Sequence, residues 1–110
     1  MERSSIGEFE ELCLLCVGVL DDDAYGVTIQ AELLSRTQRN ITISTIHSTL
    51  IRLEKKGFLE SRMGGATENR GGRTKRLFAL TAEGKKAILT ARDIRNNIWG
   101  DITKISWDSL

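Results

Sequence analysis

Cys13-Leu14-Leu15-Cys16 gives the chain a C-x-x-C spacing, the pattern of thiol redox pairs and of zinc half-sites. A reactive pair needs a helix N-terminus or nearby cations to stabilise its thiolates. These two cysteines lie in an apolar run, Leu12 to Leu20, with Glu8, Glu10 and Glu11 just upstream. Zinc needs four ligands, and the single histidine, His47, falls in a different part of the chain. No nucleophile or carboxylate dyad is placed beside His47 by spacing. Gly64-Gly65 and Gly71-Gly72 lack the Lys-Ser/Thr and following helix of a phosphate loop. No catalytic site, metal site or cofactor is expected. The cysteines read as core, with a thiol-responsive switch as the alternative.

The chemistry that remains is cationic. The 110 residues carry 16 Lys plus Arg against 15 Asp plus Glu, a net charge of +1. The distribution is uneven. Met1 to Asp23 holds seven acids and one base, whereas Arg36 to Lys86 holds twelve bases and four acids. Local fields steer polyanions even where the overall charge is near neutral. Arg70, Arg73, Lys75 and Arg76 cluster on one side of a glycine-rich stretch, and Arg52 and Lys55 stand four positions or fewer from Lys56.

Helices and a hairpin must position these groups. Phe9, Leu12, Cys13, Cys16, Val17 and Leu20 form a helical stripe, with Leu14, Leu15 and Val19 off it, so this helix is apolar on more than one side. Asp23 is the expected cap of a second helix, Ala24 to about Gln38, with Tyr25, Ile29, Leu33 and Leu34 at helical spacing. Ser44 is the expected cap of a third, Thr45 to Lys56, whose Ile46, Leu50 and Leu53 face the core. His47, Ser48, Ile51, Arg52 and Lys55 lie opposite, and Gly57 ends the helix. The period then shifts toward two, predicting strands over Phe58 to Met63 and Thr74 to Thr81 around a long glycine-rich loop. Thr81 caps a last helix over Ala82 to about Ile98, and Asp101 can restart a helical segment through Trp107.

That order of elements predicts an α+β fold, a winged helix-turn-helix with an added C-terminal dimerisation helix. A helix roughly 10–12 Å across fits the DNA major groove, where short polar and basic side chains reach base edges. The glycine-rich hairpin would bring backbone and cations to phosphates. In the last helix Ala87, Ala91, Ile94, Ile98, Ile102 and Ile105 step by 4, 3, 4, 4 and 3, close to a heptad seam. Such a surplus of apolar surface is expected to pair with a second copy, or to fold back on the first helix.

Four blocks also carry a family resemblance: Glu8-Phe9-Glu10-Glu11, Ala24-Tyr25-Gly26-Val27, Thr49 to Gly57 (TLIRLEKKG) and Gly72 to Gly84 (GRTKRLFALTAEG). In this order they resemble the PadR family of bacterial transcriptional regulators, specifically its short subfamily with a single C-terminal helix. The resemblance implies a dimeric repressor of transport, efflux or detoxification genes that binds a palindromic operator. By position it makes Thr45 to Lys56 the recognition helix and Gly64 to Arg73 the wing tip. The chain has His47-Ser48 where members often have Tyr-Pro, and Leu77-Phe78 where they often have Tyr-Tyr. Some drug-sensing members sandwich flat aromatic compounds between paired tryptophans on the last helix. Trp99 lies about one turn beyond that position, and is assigned to dimer packing with ligand contact as the alternative.

The expectation is therefore a winged-helix DNA-binding domain over residues 1–81 and a dimerisation helix over 82–110, in a cytoplasmic regulator, since no basic-then-apolar leader opens the chain. The expected DNA-binding residues are Thr45, His47, Ser48, Arg52, Lys55, Arg70, Arg73, Lys75 and Arg76. The expected dimer interface is Leu15, Val19, Ala91, Ile94, Ile98, Trp99, Ile102 and Ile105. Double-stranded DNA and a second copy are the expected partners, with a small aromatic or hydrophobic effector as a further candidate. No membrane partner is expected. The alternative class is a winged-helix module that dimerises and docks on protein without touching DNA.

Overall fold

The computed structural model describes residues 6–64 and 74–102. Helix α1 runs Glu8–Leu20, a 3-10 turn follows at Asp21–Asp23, and α2 (Gly26–Thr37) and α3 (Ile43–Lys55) complete a three-helix layer. Strands β1 (Leu59–Gly64) and β2 (Lys75–Leu80) pair antiparallel, from Leu59 opposite Leu80 to Gly64 opposite Lys75. Helix α4 spans Ala82–Gly100. The expected α+β winged helix is the observed architecture. Asp101, the expected start of a further helical segment, is instead the C-cap of α4; most of the expected wing loop, and residues 103–107, lie outside the described residues.

The core is built where the periodicity placed it. Cys13, Cys16, Val17, Ile29, Leu33, Ile46, Leu50 and Leu53 are buried together, closed from below by Phe58, Leu59 and Phe78. Removing one such side chain from water stabilises the fold by about 1.5–3 kcal/mol. Leu14, read as off the α1 stripe, is fully buried, whereas Leu15 and Val19 are exposed. The α1 core stripe is thus wider by one residue than its spacing suggested. Leu34, grouped with the α2 stripe, is also largely in solvent.

Two helix starts differ from expectation. Asp23 does not cap α2: Asp21–Asp23 fold into the 3-10 turn, and Tyr25 takes the cap position. The Thr28 hydroxyl accepts from the Tyr25 N–H at 3.0 Å and donates to the Asp23 carbonyl at 2.6 Å, so it closes the turn that an aspartate cap would have closed. Ser44 does not cap α3 either. Thr42 does, accepting from the Thr45 N–H at 3.2 Å. The Gln30 side chain donates to the Ile41 carbonyl at 2.7 Å and fixes the approach one residue before the cap.

The expected stops hold. Gly57 sits at φ +88°, a left-handed position that suits glycine after a helix. Thr81 caps α4 by accepting from the Gly84 N–H at 3.0 Å, and its hydroxyl donates to the Gly57 carbonyl at 2.7 Å. One threonine therefore ties the end of α3 to the start of α4. The wing is anchored at its base as well, since the Phe78 N–H donates to the Ala24 carbonyl at 2.8 Å.

Candidate nucleic-acid interface

Helix α3 buries Ile46, Thr49, Leu50 and Leu53 and turns Ser44, Thr45, His47, Ser48, Arg52 and Lys55 to solvent. Its exposed N-terminal half is held by a hydroxyl network. The Thr42 and Thr45 hydroxyls lie 2.9 Å apart, and Ser48 and Thr49 both donate to the Thr45 carbonyl, at 3.1 and 2.9 Å. The hydroxyl oxygens of the exposed Thr45 and Ser48 keep accepting capacity toward solvent. The imidazole of His47 meets the Phe78 ring edge-on, 6.4 Å between centroids, so a β2 side chain braces it on the exposed surface.

The cations divide into those that bind acids of the same chain and those that do not. Arg52 donates through Nε to Glu10 at 3.0 Å, and Lys56 reaches both Glu10 oxygens at 2.9 and 3.0 Å. Glu10 is only 7% exposed. Burial opposes its ionisation, but the Gly7 N–H, Lys56 and Arg52 more than offset that and hold its carboxyl down at about 2. Arg76 donates to Glu54 at 2.6 Å and to Ser61 at 3.1 Å, a brace between the wing and α3. Lys75 stands over the Tyr25 ring, 4.5 Å from its centroid. Lys55 makes no ion pair with a described residue and is exposed. Arg70 and Arg73 lie outside the described residues.

Thr45, His47, Ser48, Arg52 and Lys55 thus share the outer face of α3, while Lys75 and Arg76 enter the wing beside it. Sequence reading missed three supporting residues: Glu10, Glu54 and Tyr25. Glu10 had one local signal. It sits three and four positions before the buried Cys13 and Leu14, on the same inward face of α1.

The other candidate surface lies between α1 and α4. Leu15 and Val19 of α1 and Leu89, Ile94, Ile98 and Trp99 of α4 are exposed, with Ala91 and Ile102 half-buried; Ile105 lies outside the described residues. A groove of about 550 Å³ runs between the helices, walled by Leu15, Ile88, Leu89 and Trp99. Its polar edge is Glu11, 8% exposed, bonded by Arg95 of α4. That side-chain bond is the main cause holding the Arg95 guanidinium above its ordinary value. On the inner side of α1, burial pushes the Cys13 thiol up to about 12 and raises Cys16 as well. Both thiols are free.

The profile of the transcriptional regulator PadR-like family matches residues 14–90, from the middle of α1 to the middle of α4. The chain belongs to the PadR-like family.

Solved structures share the fold. A PadR family regulator from Clostridium difficile R20291 is 26% identical, with a TM-score of 0.65 over 81% of this chain and 91% of that one. One from Eggerthella lenta DSM 2243 is 21% identical, with a TM-score of 0.66 over 86% of this chain and 82% of that one. RosR of H. salinarum is 20% identical, with a TM-score of 0.65 over 94% and 84% respectively. Comparison with curated proteins finds no match. Membership in the PadR-like family makes this chain a transcriptional regulator and supports DNA as its partner. Among the described residues no helix is long and apolar enough to cross a membrane, and no cluster of three or more metal-binding side chains occurs.

Proposed function

We propose that this PadR-like chain is a cytoplasmic, homodimeric repressor that reads a palindromic operator with α3 and grips the flanking backbone with the wing. One observation carries the reading. The outer face of α3 presents the Thr45 and Ser48 hydroxyls, the His47 imidazole and two cations, while the only described acid within hydrogen-bond reach of Arg52 is buried beneath it. Thr45, His47, Ser48 and Arg52 probe base edges, with Lys55 near a phosphate. Arg70, Arg73 and Lys75 supply backbone charge from the wing, with Arg76 at its base. Residues 1–81 act as the DNA-binding unit and 82–110 as the dimerisation helix.

The apolar faces of α1 and α4 support the second copy. Leu15, Val19, Ile94, Ile98 and Trp99 are too large an exposed apolar set for a lone chain in water. Two-fold pairing sets two recognition helices about 34 Å apart, on successive major grooves. The groove beside Trp99 also favours a small aromatic or hydrophobic effector, enclosed when the two copies meet.

Footprinting on the DNA upstream of the chain's own gene tests the reading. The expected pattern is two protected patches related by two-fold symmetry, centred roughly one helical turn (about 34 Å) apart. A single patch contradicts the dimeric geometry, and no protection contradicts DNA reading.

A further inference from the structure

We infer that Glu10 is a positioning residue for base reading, acting through Arg52; this rests on the operator-binding reading above. Glu10 lies on α1 and Arg52 on α3, 42 positions later, yet they meet at 3.0 Å through a single guanidinium nitrogen, Nε. Neither Nη atom bonds a described residue. The arginine side chain is 52% exposed although its anchor is buried.

That geometry sets what Arg52 can do. A guanidinium is planar, so holding Nε on a buried carboxylate narrows the poses of the plane and leaves the two Nη groups available as a fork. Such a fork pairs bidentately with the O6 and N7 acceptors of guanine, the commonest specific contact in the major groove. A free arginine pays rotamer entropy to adopt one such pose, whereas an anchored one is already ordered. Lys56 completes the device. Its ammonium binds both Glu10 oxygens, so the buried carboxylate is neutralised without using the Nη fork of Arg52. Lys56 is thereby drawn toward α1 and away from phosphates, leaving the directed contact as the one this corner of α3 offers.

Arg52→Lys separates this role from charge alone, since it keeps the cation and loses both Nε anchor and fork. Binding is measured by anisotropy on the upstream duplex and on a scrambled duplex of the same composition, for the wild-type chain, Arg52→Lys, Glu10→Gln and the double variant. The expected result is a preference for the upstream duplex reduced about tenfold in Arg52→Lys, with affinity for the scrambled duplex within about twofold of wild type. Glu10→Gln should lose a similar preference, and the double variant should be no worse than the worse single one, because both changes break one device. A merely structural role of Glu10 would lower both affinities together. Wild-type preference in Arg52→Lys overturns the inference, whether or not Glu10→Gln folds, and so do additive losses in the double variant. A wild-type chain that binds both duplexes equally overturns the operator reading itself, a result distinct from either.

Discussion

A Cβ placed on Gly84 would lie 2.1 Å from the carbonyl oxygen of Phe58. The first turn of α4 therefore rests directly on the backbone that leads from α3 into β1, and only a residue without a side chain permits it. The same junction is closed by Thr81, whose N–H donates to the Phe58 carbonyl at 3.2 Å. These two contacts seat the start of α4 on the winged-helix unit.

Gly84→Ala tests the junction. Alanine favours a helix by about 1 kcal/mol over glycine in isolation, so a stabilised variant is the local expectation. The clash is with backbone, which cannot swing aside. The net outcome should be a loss of about 1–3 kcal/mol, read from urea denaturation with an unchanged slope. A variant as stable as the parent would place α4 differently.

Ile98→Glu tests the apolar faces. Ile98 is 61% exposed, so the substitution should change the stability of a single chain by no more than about 0.5 kcal/mol. Sedimentation should show a dimeric wild-type chain and a monomeric variant with an unaltered circular dichroism spectrum. A monomeric wild-type chain would refute dimerisation through α4.

The acid limb of stability should report Glu10. Its folded carboxyl titrates at about 2, below the ordinary 4.5. A depressed carboxylate stabilises the fold above its unfolded value, and that contribution disappears as pH falls through the folded value. The window is therefore pH 4.5 down to about 2. Glu10→Gln should flatten the stability curve across it and cost on the order of 2 kcal/mol at neutral pH, trimmed because Arg52 is half in solvent. An unchanged acid limb would mean that the Arg52 and Lys56 contacts do not persist in solution.

Cys13 and Cys16 should be inert while the chain is folded. Both are buried, and burial raises both thiols, Cys13 to about 12. Maleimide should leave them unmodified in buffer and label both in denaturant. Rapid labelling of the folded chain would revive the thiol-switch alternative.

How much of this was legible in the sequence depends on the range of the interaction. Gly57, the Thr81 cap and the Ile46, Leu50, Leu53 stripe are local signals, and each stands where its spacing put it. The caps at Asp23 and Ser44 failed because neighbouring hydroxyls compete for the same backbone donors. Thr28 and Thr42 win through contacts with Asp23 and Thr45 that residue preference alone does not rank. The site was legible as a basic face but not as an arrangement of individual cations. Arg52 and Arg76 carry identical charge in the sequence, and only folding brings Glu10 to one and Glu54 to the other, across 42 and 22 positions.

The central claim is that the basic outer face of α3 and the wing bind DNA by sequence. It is tested most directly by the affinity for the chain's own upstream duplex, against excess nonspecific competitor, at about 50 and about 200 mM salt. Three or four phosphate contacts from each of two subunits predict a log–log slope of roughly −5 to −7, so affinity should fall about a thousandfold or more across that interval while the preference for the upstream sequence survives. Binding that ignores salt, or that vanishes under competitor at the lower concentration, would contradict the claim and leave a protein-docking module as the better description.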